Sequence, residues 1–505
     1  MKTNGQIKIG ALLSYLTIFV NIVTGIVYTP WMIRSIGSSD YGLYTLAMSL
    51  INTFTIDFGL GMAVQKYVSK HLADHDQKKA DRTVGIVLKL YLLITALLLA
   101  IFISLYFFIG WIYPELSATE IKKFKVLYII AAINCVVTFP FIPADGILHA
   151  YERFIESKIC GFIHKIVTVT LTVTALFAGW GVYSLVAANL LGGILHILVR
   201  LYVIRKKTNM NPDLRYKDFS YLKEMMLFSF WASVSSLAIR FILTLQPSVL
   251  GMVAGTAEIA IFGYAVSLES YIYLFVNALN GFFLPTLTRM DKNEEAQKGE
   301  QISGLMTRVG RFILLLYGLM FIGFCAMGKE FITLLLGDGY IKSYYCTILI
   351  CAYGLVAYPQ QIANTYIMVK NKVKKRAIIS AAALGLCMIC SFVFGKKYGA
   401  VGVSAGICVS LILYVIFMNR MYRRDLKIDI ASFFKNCHLK LLPGLLLHFI
   451  LSVLISCIPL SGWLGFAVKT SAICLVYFMI AWFMMLERYE KNMITGIWNK
   501  ILRRK

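Results

Sequence analysis

Two clusters in this chain have the residue types of catalytic or metal chemistry. Cys387-Met-Ile-Cys390 has the C-x-x-C spacing of a redox or metal pair. No second pair and no histidine stands at ligand spacing from it, and apolar residues surround it. The thiols therefore read as small packing groups. His71 and His75 lie at i, i+4, and Asp74-His75-Asp76 has the D-x-D form of a sugar-nucleotide site. They sit in a short charged connection with no room for a nucleotide-binding fold, so they read as a solvated loop. His149, His164, His196, His438 and His448 are scattered and form no ligand set. What remains are charges inside apolar stretches, chiefly Arg240 and Glu269, with Asp57 and Lys89. Such a group is expensive in hydrocarbon, so each calls for a partner or a function.

The elements that hold these charges follow from composition. The chain has 505 residues, 59% hydrophobic and only 15% charged, with a mean hydropathy of +0.73. A soluble domain is close to half apolar and a quarter charged, which excludes a soluble multidomain enzyme. Lysine and arginine number 50 against 25 acidic residues. That excess fits either nucleic acid or a membrane protein with basic cytoplasmic loops. Most of the eleven cysteines lie in apolar runs and imply no disulfide framework. The opening MKTNGQIKIG and the apolar residues to about Tyr28 resemble a signal peptide, but the run is as long as a full span. It ends in Thr29-Pro30-Trp31 instead of a cleavage site, so it reads as a first transmembrane helix.

Apolar runs long enough to cross ~30 Å of hydrocarbon recur throughout. They cover 9–30, 41–62, 84–110, 125–144, 161–178, 181–203, 225–253, 258–283, 309–327, 343–369, 377–395, 399–419, 438–457 and 464–486. These are too long and evenly apolar for barrel strands, which predicts an all-α polytopic membrane protein of about fourteen transmembrane helices. With the N-terminus inside, the cytoplasmic connections carry 37 Lys and Arg and the outer ones 8. The excess charge is thus topogenic, both termini are inside, and nucleic acid is not a partner. Every outer connection is short, and no cytoplasmic loop is large enough for a catalytic domain.

The chain also repeats itself. Ile36-Gly-Ser-Ser-Asp40 and the following residues to Leu50 align with Ala254-Gly-Thr-Ala-Glu258 to Leu268, so that Gly37 falls on Gly255 at an offset of 218. The same offset places Gly181 on Gly399 and Arg205-Lys206 on Arg423-Arg424. Two homologous six-helix lobes follow, 1–207 and 208–424, with 425–505 adding two helices and a basic tail. Parallel repeats of this kind are a transporter architecture with the substrate path between lobes. Asp40 and Glu258 open their helices and are expected to cap them. Gly251-x-x-x-Gly255 and Gly402-x-x-x-Gly406 read as close-packing sites.

Arg34-x-Ile-Gly37-x-x-x-Tyr41-Gly-Leu-Tyr44, then Asp57-Phe-Gly-Leu60, Gly146-Ile-Leu-x-Ala150-x-Glu-Arg-Phe154 and Gly337-x-Gly-Tyr340 resemble the Wzx-type polysaccharide flippases. These belong to the multidrug/oligosaccharidyl-lipid/polysaccharide (MOP) superfamily, with the multidrug (MATE) exporters and lipid II flippases. The resemblance spans the chain, and twelve helices plus two fit it. It implies a non-enzymatic flippase of the bacterial inner membrane, serving surface polysaccharides such as O-antigen. Its substrate would be an undecaprenyl-pyrophosphate-linked oligosaccharide, moved from the cytoplasmic to the outer leaflet by alternating access. A lipid II flippase and an ion-coupled MATE-like exporter are the alternatives. No cofactor is implied; a proton or sodium gradient is the candidate driving force. The bilayer and other polysaccharide-assembly membrane proteins are the candidate partners.

Under that resemblance the intramembrane charges gain roles. Arg240 lies about 20 Å below the outer end of helix 7 and Glu269 about 16 Å below that of helix 8. They form either a structural pair or a cavity site, in which Arg240 holds a pyrophosphate oxygen and Glu269 answers Arg240 or carries a coupling proton. Asp57, about 25 Å down helix 2, is expected to meet Lys89 as a pair or latch, with an ion site the other reading. Asn52, Gln246, Asn277 and Asn280 are candidate sugar-path or interhelical groups, and Pro247 should kink helix 7 for gating.

Overall fold

The computed structural model describes residues 24–55, 60–216, 218–277, 295–370, 372–492 and 495. Every regular element among them is helical. That is the outcome lipid demands, because a helix satisfies its backbone polar groups within the segment. Ten helices among the described residues are long and apolar enough to cross a membrane. One of these, Val373–Asp425, is divided by Gly399 at φ +58°, so the expected spans 377–395 and 399–419 run through it on either side of a sharp turn. The expected 9–30 span lies largely outside the described residues. The 41–62 span is described as Ser38–Phe54 and Leu60–Ala73, on either side of an undescribed stretch. The seventh span breaks into Phe219–Thr244 and Gln246–Val253 at Pro247. Proline lacks the amide hydrogen the helix needs there, and the break matches the expected kink.

The repeat offset has a conformational counterpart. Gly37 and Gly255 have φ of +85° and +79°, and Gly181 and Gly399 have +54° and +58°. Each turns the chain into the next helix in a region where a side chain would be strained. A second correspondence lies inside the lobes. Phe139–Phe141 and Tyr358–Gln360 are both 3₁₀ turns with proline in their first turn.

The chain divides into two compact units, residues up to Tyr264 with Val373–Ile407, and Ala265–Lys372 with Cys408–Lys505. In the first, Arg200 and Asp145 form an ion pair of 2.6 Å. Gly402 lies so close to Phe394 that an added Cβ would stand 2.1 Å from its carbonyl oxygen, as the small-residue spacing implied. In the second, the long Glu295–Leu336 helix packs against Ile341–Ala352, Lys440–Ser456 and Gly462–Ile480. Lys469, only 4% exposed, meets Glu330 at 2.6 Å.

Asp40 and Glu258 stand in the first turns of their helices as expected, and they also reach beyond them. Gly37 is the N-cap of Ser38–Phe54 and makes no side-chain bond, while Asp40 pairs with Lys123 at 2.8 Å. The Glu258 carboxylate accepts the Ala400 backbone N–H at 2.8 Å, just past the Gly399 turn. Both carboxylates thus tie separate helices together. Asp76 of the D-x-D motif is a true N-cap, accepting the Lys79 N–H at 3.0 Å.

Candidate functional site

The N-terminal ends of the Ser38–Phe54 and Thr256–Asn277 helices meet within the first unit. The seam starts from residue size. An added Cβ on Gly42 would stand 2.1 Å from the Thr256 carbonyl oxygen, and one on Gly263 2.8 Å from Thr45 Cγ2. Only glycine allows the Ser38–Phe54 helix to lie this close to the start of Thr256–Asn277. Above the seam, Ser117 and Glu120 form a capping box that opens the Ala118–Thr138 helix. The box fixes the Glu120 carboxylate, whose Oε1 accepts Ser39 Oγ at 2.8 Å and Thr256 Oγ1 at 2.7 Å. One carboxylate oxygen thus bridges a residue of the first sequence repeat and a residue of the second. Asp40 and Lys123 close the same cluster. Glu120 was not singled out by sequence. Its only local sign is Ser117-x-x-Glu120, which announces a cap and says nothing of the residues 81 and 136 positions away.

Among the sequence candidates in this unit, Arg240 is an exposed residue of Phe219–Thr244. Gln246 is fully buried, and its amide donates to the Ile242 carbonyl at 2.7 Å and to Cys387 Sγ at 3.4 Å. It therefore stitches the kinked seventh span to the eleventh. Its Oε1 has no hydrogen-bond partner. Asn52 is half-buried in Ser38–Phe54. Lys89 donates to the backbone carbonyl of Tyr216; Asp57 lies outside the described residues, and its expected meeting with Lys89 lies there with it. Asn280 also falls outside, as does the Asn277 side chain.

Glu269 belongs to the second unit and is 6% exposed. Tyr358 donates its hydroxyl to Glu269 Oε1 at 3.0 Å, and the Tyr353 and Tyr358 hydroxyls are 3.1 Å apart. Tyr317 stacks edge-on against Tyr358 with ring centroids 5.0 Å apart and donates to the Cys351 carbonyl at 2.6 Å. The 3₁₀ turn at Pro359 presents Tyr358 to this carboxylate. A carboxylate and two linked phenols in an apolar nest can exchange protons along a short chain. No cluster of three or more metal-ligating side chains occurs among the described residues.

A second missed group is Arg311, 2% exposed. Its Nε and a terminal nitrogen grip the Glu490 carboxylate at 2.8 and 3.0 Å, and it also donates to the carbonyls of Met485 and Asn436 at 2.7 and 3.0 Å. This bidentate fork pins the ninth span to the segment after the last one. Burial would push the Glu490 carboxyl up, but the Arg311 guanidinium and the Glu487 N–H hold it below the ordinary range.

Residues 10–291 match the family model described as polysaccharide biosynthesis protein. A putative O-antigen transporter of Shigella flexneri is 22% identical over 410 residues, 78% of this chain and 92% of that protein. The capsular polysaccharide biosynthesis protein CapF of Staphylococcus aureus is 28% identical over 160 residues, 30% of this chain and 38% of that protein. In fold, the chain is similar to the lipid II flippase MurJ in an inward closed conformation, with a TM-score of 0.72 at 16% identity over 93% of this chain and 98% of that one. An inward-facing MATE transporter of the MOP superfamily gives 0.65 at 15% identity, over 83% of this chain and 99% of that one. With more than half of its length matched by one family model, and on the helical fold that MurJ and MATE transporters share, this multi-pass membrane protein belongs to the polysaccharide biosynthesis protein family.

Proposed function

We propose that the chain is a flippase of the bacterial inner membrane. It carries an undecaprenyl-pyrophosphate-linked oligosaccharide from the cytoplasmic to the outer leaflet for surface polysaccharide assembly. Two lobes, 1–207 and 208–424, alternate access, and 425–505 adds two helices. Family membership and the likeness to a putative O-antigen transporter support the substrate class. The observation that carries the mechanism is the outer seam. Gly42 against Thr256, bridged by Glu120, joins residues of the two repeats on the outer side by a contact small enough to part. A carrier must seal one face while the other is open.

Arg240 then holds a pyrophosphate oxygen. Glu269, with the Tyr358 and Tyr353 hydroxyls behind it, is the coupling candidate. Pro247 gives the hinge of the seventh span.

Complementation tests this reading. Expression in a strain lacking its polysaccharide flippase should restore surface glycan, with no rescue of a strain depleted of its lipid II flippase. Rescue of the second strain alone would move the substrate to lipid II. Drug efflux with neither rescue would make it an exporter.

A further inference from the structure

A cavity of about 1000 Å³ lies wholly within the second unit, apart from the groups discussed above for transport. Its lining residues fall within 303–311, 370–372, 425–440 and 487–489, parts of connections that the charge bias places on the cytoplasmic side, with Tyr366 added from the tenth span. Two of its cations are already neutralised. Arg311 is held by Glu490, and Lys440 meets Glu487 at 3.1 Å. Asp429 is engaged in capping, its carboxylate accepting the Ser432 N–H at 2.9 Å. Arg308, Lys372 and Lys427 also line it, together with Lys370 and Asp425. The balance is cationic, and the Arg311 pin keeps the walls in place. Residues that serve only the orientation of the spans can point anywhere into the cytoplasm; these converge on one hollow.

Lys427 follows the end of the Val373–Asp425 helix with φ +55°, a left-handed position where glycine fits without strain. His75 and Glu152 end their helices in the same way, and here that turn brings Lys427 into the cavity lining. Arg308, with its guanidinium carbon 5.9 Å from the Tyr489 ring centroid, lies over an aromatic face that orients it.

We propose that this hollow binds the phosphate of a mono- or diphosphate ester at the cytoplasmic surface. Its source is either an anionic lipid head group or a soluble phosphate compound, since basic pockets between helices at this level suit both. The site does not depend on what the chain transports.

The test uses the purified full chain, with inorganic pyrophosphate as one probe. Nanodiscs of phosphatidylcholine with and without phosphatidylglycerol are the other, read by native mass spectrometry of retained lipid. The variants are the triple Arg308→Gln, Lys372→Gln, Lys427→Gln and the single Lys427→Gly. The triple variant should lose binding, and Lys427→Gly should bind about tenfold more weakly. Because Lys427→Gly relieves backbone strain, its thermal midpoint should equal or exceed that of the parent, which separates lost binding from misfolding. Binding of pyrophosphate alone assigns a soluble source, and retention of phosphatidylglycerol alone assigns a lipid. If the parent binds neither, or if both variants bind like the parent, the proposal is overturned.

Discussion

Gly42→Ala should open the outer seam. The added methyl carbon would lie 2.1 Å from the Thr256 carbonyl oxygen, 2.9 Å from its carbonyl carbon and 3.2 Å from its Cα. All three are backbone atoms at the head of a helix, so no rotamer change relieves the clash. Restoring an ordinary contact requires the two helices to separate by roughly 1 Å. Overfilling a packed site costs about 1–3 kcal/mol, which shifts a two-state equilibrium by about 5- to 150-fold. Under the alternating-access proposal, the shift disfavours the state in which Gly42 and Thr256 touch. The assay places cysteines at Ser39 and Thr256, whose hydroxyl oxygens are 3.2 Å apart, in a chain with its eleven native cysteines replaced. The rate of disulfide formation under mild oxidant then reports the sealed population. Gly42→Ala should slow cross-linking at least fivefold. Gly263→Ala should do less, because its nearest neighbours are side-chain atoms of Thr45. Cross-linking at an unchanged rate in Gly42→Ala would refute both the contact and the gating assigned to it.

Three further outcomes are expected. Arg240→Ala should abolish surface-glycan rescue while the protein reaches the membrane at normal levels, and Arg240→Lys should restore it in part, since lysine keeps the charge but not the fork. Glu490→Ala should destabilise the second unit by about 1–3 kcal/mol in denaturant unfolding, because it removes the bidentate partner of the buried Arg311 and leaves it the longer 3.4 Å contact with Glu487. The Glu490 carboxyl is held below its unfolded range, so its stabilisation is complete above about pH 4 and fades as pH falls through the folded value; Glu490→Gln should flatten that acid slope in a pH series of thermal midpoints. Tyr358→Phe removes the hydroxyl that donates to Glu269 and should cost about 1–3 kcal/mol of stability. If Glu269 carries the coupling proton, the same variant also moves the pH profile of transport, which a purely structural hydroxyl would leave in place.

What could be read from sequence divides along a physical line. Lipid thickness sets the length of each span and the charge asymmetry sets its direction, so both are written in runs of neighbouring residues. The repeat was legible for the same reason, and its glycine pairs adopt matching left-handed turns. Pro247 announced a kink because a missing N–H is a local fact. Partner choice is different, because it depends on where a side chain ends after the helices pack. Asp40 and Glu258 stand in the first turns of their helices, where a local rule assigns them to caps, yet they reach Lys123 and the Ala400 N–H. Lys469 and Glu330 are 139 residues apart, and Arg311 and Glu490 are 179 apart; no spacing connects them. Arg311 counted as one more cytoplasmic cation, although it is only 2% exposed and bound by four hydrogen bonds. The same blindness hid Glu120, whose capping box is local but whose bridge from Ser39 to Thr256 is not. A buried charge in such a chain is therefore better identified by the exposure of its side chain than by its depth in an apolar run. By that measure Glu269 and Arg240 differ: the carboxylate is enclosed with its phenol donor, and the guanidinium is exposed. Under the proposed function the enclosed group is the candidate proton carrier, and the exposed one is the candidate to meet an oxyanion.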